Sequence, residues 1–115
     1  MILSPHLKVF VCREPVDMRL GIDGLAQRVG TLFAADPLSG HVFAFLGKRR
    51  NRIKLLYWDR NGFWLAYKRL ERGRFPQAQT LAQRGLTLLE LRAYLEGIDL
   101  TRMPGIAAVK VSRIA

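Results

Sequence analysis

The side chains best placed to do chemistry in this sequence are cations. Residues 48–74 hold Lys48, Arg49, Arg50, Arg52, Lys54, Arg60, Lys68, Arg69, Arg72 and Arg74 against Asp59 and Glu71, so they carry eight of the ten net positive charges. The rest of the chain, with nine basic and seven acidic residues, is close to neutral. Guanidinium and ammonium groups at this density suit phosphates, and each phosphate they neutralise releases condensed counterions from a nucleic acid. The isoelectric point near 10.9 favours polyanions in the same way: nucleic acid, or an anionic membrane surface.

Other chemistries have thin support. Cys12, His6 and His41 are too few and too scattered for a zinc site by local spacing. A single cysteine inside an apolar strand is more often a buried, inert thiol than a nucleophile. Gly21-Ile22-Asp23-Gly24 lacks the third glycine and the preceding strand of a dinucleotide loop, and no Walker A sequence occurs. Asp17, Asp23, Asp36, Asp59 and Asp99 are of the type that ligates magnesium in phosphoryl transfer. Each also has a structural role to fill: Asp17 and Asp23 suit the first turn of a helix, Asp36 and Asp59 suit turns, and Asp99 follows a helix end. The expectation is therefore a protein without catalytic residues, cofactor or metal, with a metal-dependent nuclease as the weakest alternative.

The elements that must position these cations can be read from periodicity. Residues 7–13 (LKVFVCR) are apolar and partly β-branched, and Pro15 cannot continue a sheet ladder, so a short strand is expected there. From Leu20 the residues Ile22, Leu25, Ala26, Val29, Leu32 and Phe33 recur at helical spacing. Gly24 and Gly30 inside that helix predict close packing of the face that carries them. Asp36-Pro37-Leu38-Ser39-Gly40 stops it with turn chemistry. Residues 41–47, 52–59 and 63–70 are three strand-like runs, and Asn61-Gly62 between the last two can supply positive φ angles for a tight hairpin. Their apolar centres predict a sheet covered on both faces, one of them by the first helix. Residues 77–84 show no period. Thr87 and Glu90 fit a capping box at the start of a second helix striped by Leu88, Leu91, Leu95 and Ile98, with Gly97 as a terminator.

The fold class expected is α+β: a small antiparallel β-meander plus an N-terminal strand, packed with two helices in one domain spanning 1–115. The tail from 100 to 115 is ambiguous; its VKVSRI segment reads equally as an added strand or as loose chain. Apolar runs are far shorter than the ~20 residues that span a bilayer and the N-terminus has no signal-peptide pattern, which predicts a cytoplasmic protein without a membrane partner. The length of 115 residues and 50% hydrophobic content suffice for a core without disulfides.

An up-down-up meander returns its third strand to the end where the first turn lies. Arg69, Arg72 and Arg74 are thereby expected beside Lys48, Arg49, Arg50 and Arg52, some 20 residues away in sequence. With Asn61-Gly62 as the turn, Arg60 pairs with Phe63, Arg52 with Glu71 and Lys54 with Arg69, the last a like-charge opposition that a bound anion would relieve. A lone KRRNR turn reads as a solvated hairpin tip that guards an edge. Convergence of two basic segments favours a phosphate-binding surface instead. Tyr57, Trp58, Trp64 and Tyr67 have the chemistry to stack on bases, but their mid-strand positions favour core packing.

Asp17-Met18-Arg19, Gly21, Asp23-Gly24-Leu25-Ala26, Asp36-Pro37, Ser39-Gly40, Phe43, Phe45, Arg52, Lys54, Leu56, Trp58-Asp59, Gly62, Lys68-Arg69-Leu70-Glu71, Gly73, Phe75 and Leu95-Glu96-Gly97-Ile98-Asp99 form one ordered set. In this order and spacing the chain resembles the small accessory proteins, called TnpB or second open reading frame, of the bacterial insertion-sequence family numbered sixty-six. The resemblance covers most of residues 7–100, and the tail beyond Leu100 departs from it. It implies a mobile-element product that acts in transposition beside a separate, larger transposase, and it is distinct from the RNA-guided nuclease sharing the TnpB label. The recurrent basic positions of the family map onto Arg19, Arg52, Lys54, Lys68 and Arg69. For Asp17-Met18-Arg19 the structural reading is preferred: Asp17 caps the helix, Arg19 pairs with a carboxylate such as Asp23, and Met18 packs. The alternative puts Arg19 in the anion site.

The functional expectation is a DNA-binding accessory module, its partners being transposon ends or target DNA and the transposase of the same element. Lys48, Arg49, Arg50, Arg52, Lys54, Arg69, Arg72 and Arg74 would contact the nucleic-acid backbone. The rival reading is a protein-interaction subunit whose basic surface docks an acidic region of the transposase.

Overall fold

The computed structural model describes residues 7–77, 79–82 and 85–96. A four-stranded sheet has the order β1-β2-β3-β4. Strand β1 (Val9–Val11) runs parallel to β2 (Val42–Leu46), and the crossover between them contains helix α1 (Ile22–Phe33). From β2 the chain continues as an antiparallel meander through β3 (Arg52–Asp59) and β4 (Gly62–Arg69). A four-residue helix α2 (Gln79–Ala82) lies in the stretch without a sequence period, and helix α3 (Leu88–Leu95) follows. This is the expected α+β arrangement, with the first strand reduced to three residues.

Side chains alternate across the sheet and build a core on each face. On one face Leu25 and Val29 of α1 meet Phe43, Phe45, Leu56 and Cys12, with Phe33 tilted onto Phe43 at 5.3 Å. On the other, Val9, Val42, Ala44, Ile53 and Leu55 meet Phe75, Leu91 and Tyr94, the last two rings of this set stacked at 5.8 Å as Phe75 on Tyr94. Every residue of β2 is buried, which accounts for its unbroken apolar sequence.

The local signals worked unevenly. Thr87 Oγ1 accepts from the Glu90 amide at 3.1 Å while Glu90 Oε1 accepts from the Thr87 amide at 3.0 Å, so the capping box forms. Asp36 Oδ1 accepts from the Leu38 amide and makes the expected turn. Asp17, however, does not cap α1: the cap position is Gly21, which has no side-chain bond to offer. Arg19 pairs with Asp17, not with Asp23, because two residues of separation in a tight turn bring the guanidinium onto the carboxylate. Gly24 packs closely, but against Leu20 of its own segment, and Gly30 lies exposed with open space where a Cβ would stand. Gly97, Ile98, Asp99, His6 and the 100–115 tail lie outside the described residues.

The β3–β4 register also differs. The two turn residues are Arg60 and Asn61, with Asp59 opposite Gly62 and the positive φ of 51° falling on Arg60. Gly62 is therefore the first residue of β4 and not part of the turn. The shift of two leaves every side chain on its expected face, and it sets Trp58 edge-on to Phe63 at 5.0 Å and Leu56 opposite Leu65. Lys54 consequently stands opposite Tyr67, and Arg52 opposite Arg69.

Candidate nucleic-acid interface

The turn between β2 and β3 is tight: the Arg50 amide donates to Gly47 O, the Gly47 amide to Arg52 O, and Arg50 adopts a left-handed φ of 58°. Lys48 and Arg49 are left exposed at its tip. After β4 the chain bends back, with Gly73 at φ 77°, and drops the fully buried Phe75 into the core. Three hydrogen bonds lock this return arm to the turn. The Leu70 amide donates to Asn51 O at 2.7 Å, the Phe75 amide to Arg50 O at 2.6 Å, and Arg50 Nη1 to Phe75 O at 3.2 Å. Residues 48–52 and 69–75 therefore occupy one end of the sheet.

The eight cations singled out by sequence are not equivalent there. Lys48, Arg49, Arg52, Arg72 and Arg74 are exposed and have no ion pair among the described residues. Arg69 is exposed too, but its guanidinium grips Glu71 Oε1 through both Nε and Nη2, at 3.1 and 2.9 Å. Arg50 is half-buried and committed to the Phe75 carbonyl. Lys54 is half-buried under the loop before α1, its ammonium donating to Met18 O at 2.7 Å and Leu20 O at 2.9 Å with the Tyr67 ring 5.2 Å away. Lys54 thus ties that loop to the sheet.

Of the five basic positions mapped by resemblance, Arg52 alone has no carbonyl or carboxylate partner among the described residues. Arg19 holds Asp17, Arg69 holds Glu71, Lys54 holds two carbonyls, and Lys68 donates to Leu95 O at 2.9 Å on the opposite face. The Asp17-Met18-Arg19 loop lies against the basic turn, and a cleft of about 270 Å³ separates Asp17 and Met18 from Lys48, Arg49, Asn51 and Arg52. Hydrogen bonds from the Arg19 side chain and then its amide hold the Asp17 carboxyl down at about 2. The Asp17 carboxylate beside this cleft therefore stays charged and paired with the Arg19 guanidinium.

Two of the four aromatic residues assigned to the core are not in it. Tyr57 is buried and Trp58 half-buried, whereas Trp64 is 50% and Tyr67 53% exposed. Their strand is the sheet edge, with no neighbour on one flank among the described residues. Position in the meander, the last strand of three, was the signal for this.

The remaining chemistry is structural. Burial pushes the Cys12 thiol up, and its Sγ donates to Glu14 O. His41 Nδ1 accepts from the Lys8 amide. Asp59, at the far end of β3 from Asp17, accepts from Trp64 Nε1. Among the described residues no three His, Cys, Asp or Glu side chains gather as a metal site, and no helix is long and apolar enough to cross a membrane.

A family model described as IS66 Orf2 like protein matches residues 7–104. The chain is similar to the uncharacterized protein y4jC of Sinorhizobium fredii, 37% identical over 102 residues that make up 87% of this chain and 86% of that one. It is also similar to the uncharacterized protein y4hO of the same organism, 35% identical over 96 residues, 82% and 83% of the two chains. No solved structure matches.

Proposed function

Since the chain belongs to the family of IS66 Orf2-like proteins, we propose that it is a non-enzymatic accessory protein of insertion-sequence transposition that holds DNA by its backbone. Transposon ends or the target are the DNA concerned, and the transposase of the same element is the protein it serves. The observation that carries this reading is the joining of the 48–52 turn to the 69–75 arm by backbone hydrogen bonds. Five cations without acidic partners among the described residues then stand at one end of the sheet.

Phosphate contacts from such a rim position DNA without reading its sequence. Lys48, Arg49, Arg52, Arg72 and Arg74 make those contacts, Arg69 joins when Glu71 yields it, and Arg50 and Lys54 hold the rim in shape. Electrophoretic shift of a naked duplex by purified protein tests the reading. Retardation that is lost in an Arg49→Ala, Arg52→Ala, Arg72→Ala variant supports it. A protein that leaves naked DNA unshifted, yet co-purifies with the transposase from nuclease-treated lysate, is instead a docking subunit.

A further inference from the structure

On the sheet face that carries α1, strand alternation sets Lys54 and Arg52 of β3 beside Tyr67 and Arg69 of β4. Tyr67 is directly opposite Lys54 and diagonal to Arg52, within roughly 7–8 Å on the sheet grid and in reach of a long side chain. The Lys54 ammonium, held by two loop carbonyls, lies over the Tyr67 ring. That fixed cation orients the ring while about half of the side chain stays in water. Apart from this cation, no aromatic ring of the described residues stacks on Tyr67, and half of its side chain is left to solvent. It sits two residues from Arg69 and next to Arg52, which has no ion pair among the described residues, at the basic end of the sheet.

We propose that Tyr67 is a stacking platform for an unpaired base and that the ligand of this site is DNA with a single-stranded segment, such as a frayed or nicked end. The inference rests on the phosphate-binding reading of the basic rim. Arg52 and Arg69, on the rim side of Tyr67, hold the backbone next to the unpaired nucleotide while its base lies on the Tyr67 ring. Stacking of this kind is tolerant of sequence because every base has a π-face. A fully paired duplex has no free base to offer, so it meets the rim alone. Trp64 supplies an internal control: it is equally exposed, but it lies on the other sheet face and toward the Arg60 turn, bonded to Asp59.

The test is fluorescence anisotropy with a labelled oligo-dT strand and a blunt duplex of equal length, at one fixed salt concentration. Tyr67→Ala should weaken the single strand by about tenfold and the duplex by less than twofold. Tyr67→Phe should restore single-strand binding, and Trp64→Ala should leave both ligands as in the wild type. Circular dichroism confirms that each variant is folded. Equal loss on both ligands, or no loss on the single strand, overturns the platform while duplex binding by the wild type still upholds the rim. Absence of wild-type binding to either ligand removes the rim, and the platform with it.

Discussion

Arg52 and Arg69 face each other directly across β3 and β4, in a sheet where like charges so placed repel. Glu71, two residues further on, binds the Arg69 guanidinium through two nitrogens and draws it aside. Among the described residues Arg52 has no ion pair, while Arg69 is held by Glu71. On the proposed function, a phosphate approaching Arg52 would compete with Glu71 for Arg69.

Removing that competitor should strengthen binding. Glu71→Gln frees Arg69 and adds a unit of positive charge to the rim, so duplex affinity at low salt should rise by roughly two- to threefold. The gain should fade near 0.5 M salt as screening shortens the reach of surface charges. Anisotropy titrations at the two salt concentrations read this directly.

Lys54 should behave as a structural residue. Lys54→Met keeps the aliphatic stem but leaves Met18 O and Leu20 O without their shared donor, at a cost of about 1–3 kcal/mol. Urea denaturation should show the loss as a lower midpoint. At temperatures where the variant is folded, the number of phosphates it engages should match the wild type.

The Asp17 carboxyl should titrate near 2, because the Arg19 side chain and amide both stabilise its charged form. A depressed folded-state value contributes stability above the ordinary carboxylate range, near 4, and the contribution is lost as pH falls from there toward 2. Both side chains are in water, so the effect is screened by salt and small. Carboxyl NMR titration should show Asp17 returning toward the ordinary range in an Arg19→Ala variant.

Loosening the return arm should weaken binding without touching a rim cation. Tyr94 Oη donates to Pro76 O at 2.6 Å beside the Phe75 ring. Tyr94→Phe removes that donor and should cost about 0.5–1.5 kcal/mol, measured by thermal or urea unfolding. Amide hydrogen exchange in the 71–75 segment should accelerate in the same variant.

The sequence exposed the meander, the crossover helix and the capping box because each has a local signature: strand runs between turns, a 3.6-residue stripe, and Thr87 three residues before Glu90. It also indicated that residues 48–52 and 69–75 meet, since a meander has few ways to return. The sequence-predicted hairpin register is off by two because Arg60, not Gly62, takes the positive φ, a position that the Asn61-Gly62 pair does not announce. The roles of individual cations were not legible either. Whether Lys54 reaches water or the carbonyls of Met18 and Leu20 depends on a loop 34 to 36 residues away in sequence. The exposure of Tyr67 depends on which strand is left at the edge.

The most direct test of the basic rim is the salt dependence of duplex binding by the purified protein. With five or six phosphates engaged, the log–log plot of affinity against salt should have a slope of roughly −5, and the Arg49→Ala, Arg52→Ala, Arg72→Ala variant should flatten it by about 3 while remaining folded. A wild-type slope near zero, or the same slope in the folded variant, would contradict the assignment of this end of the sheet to DNA.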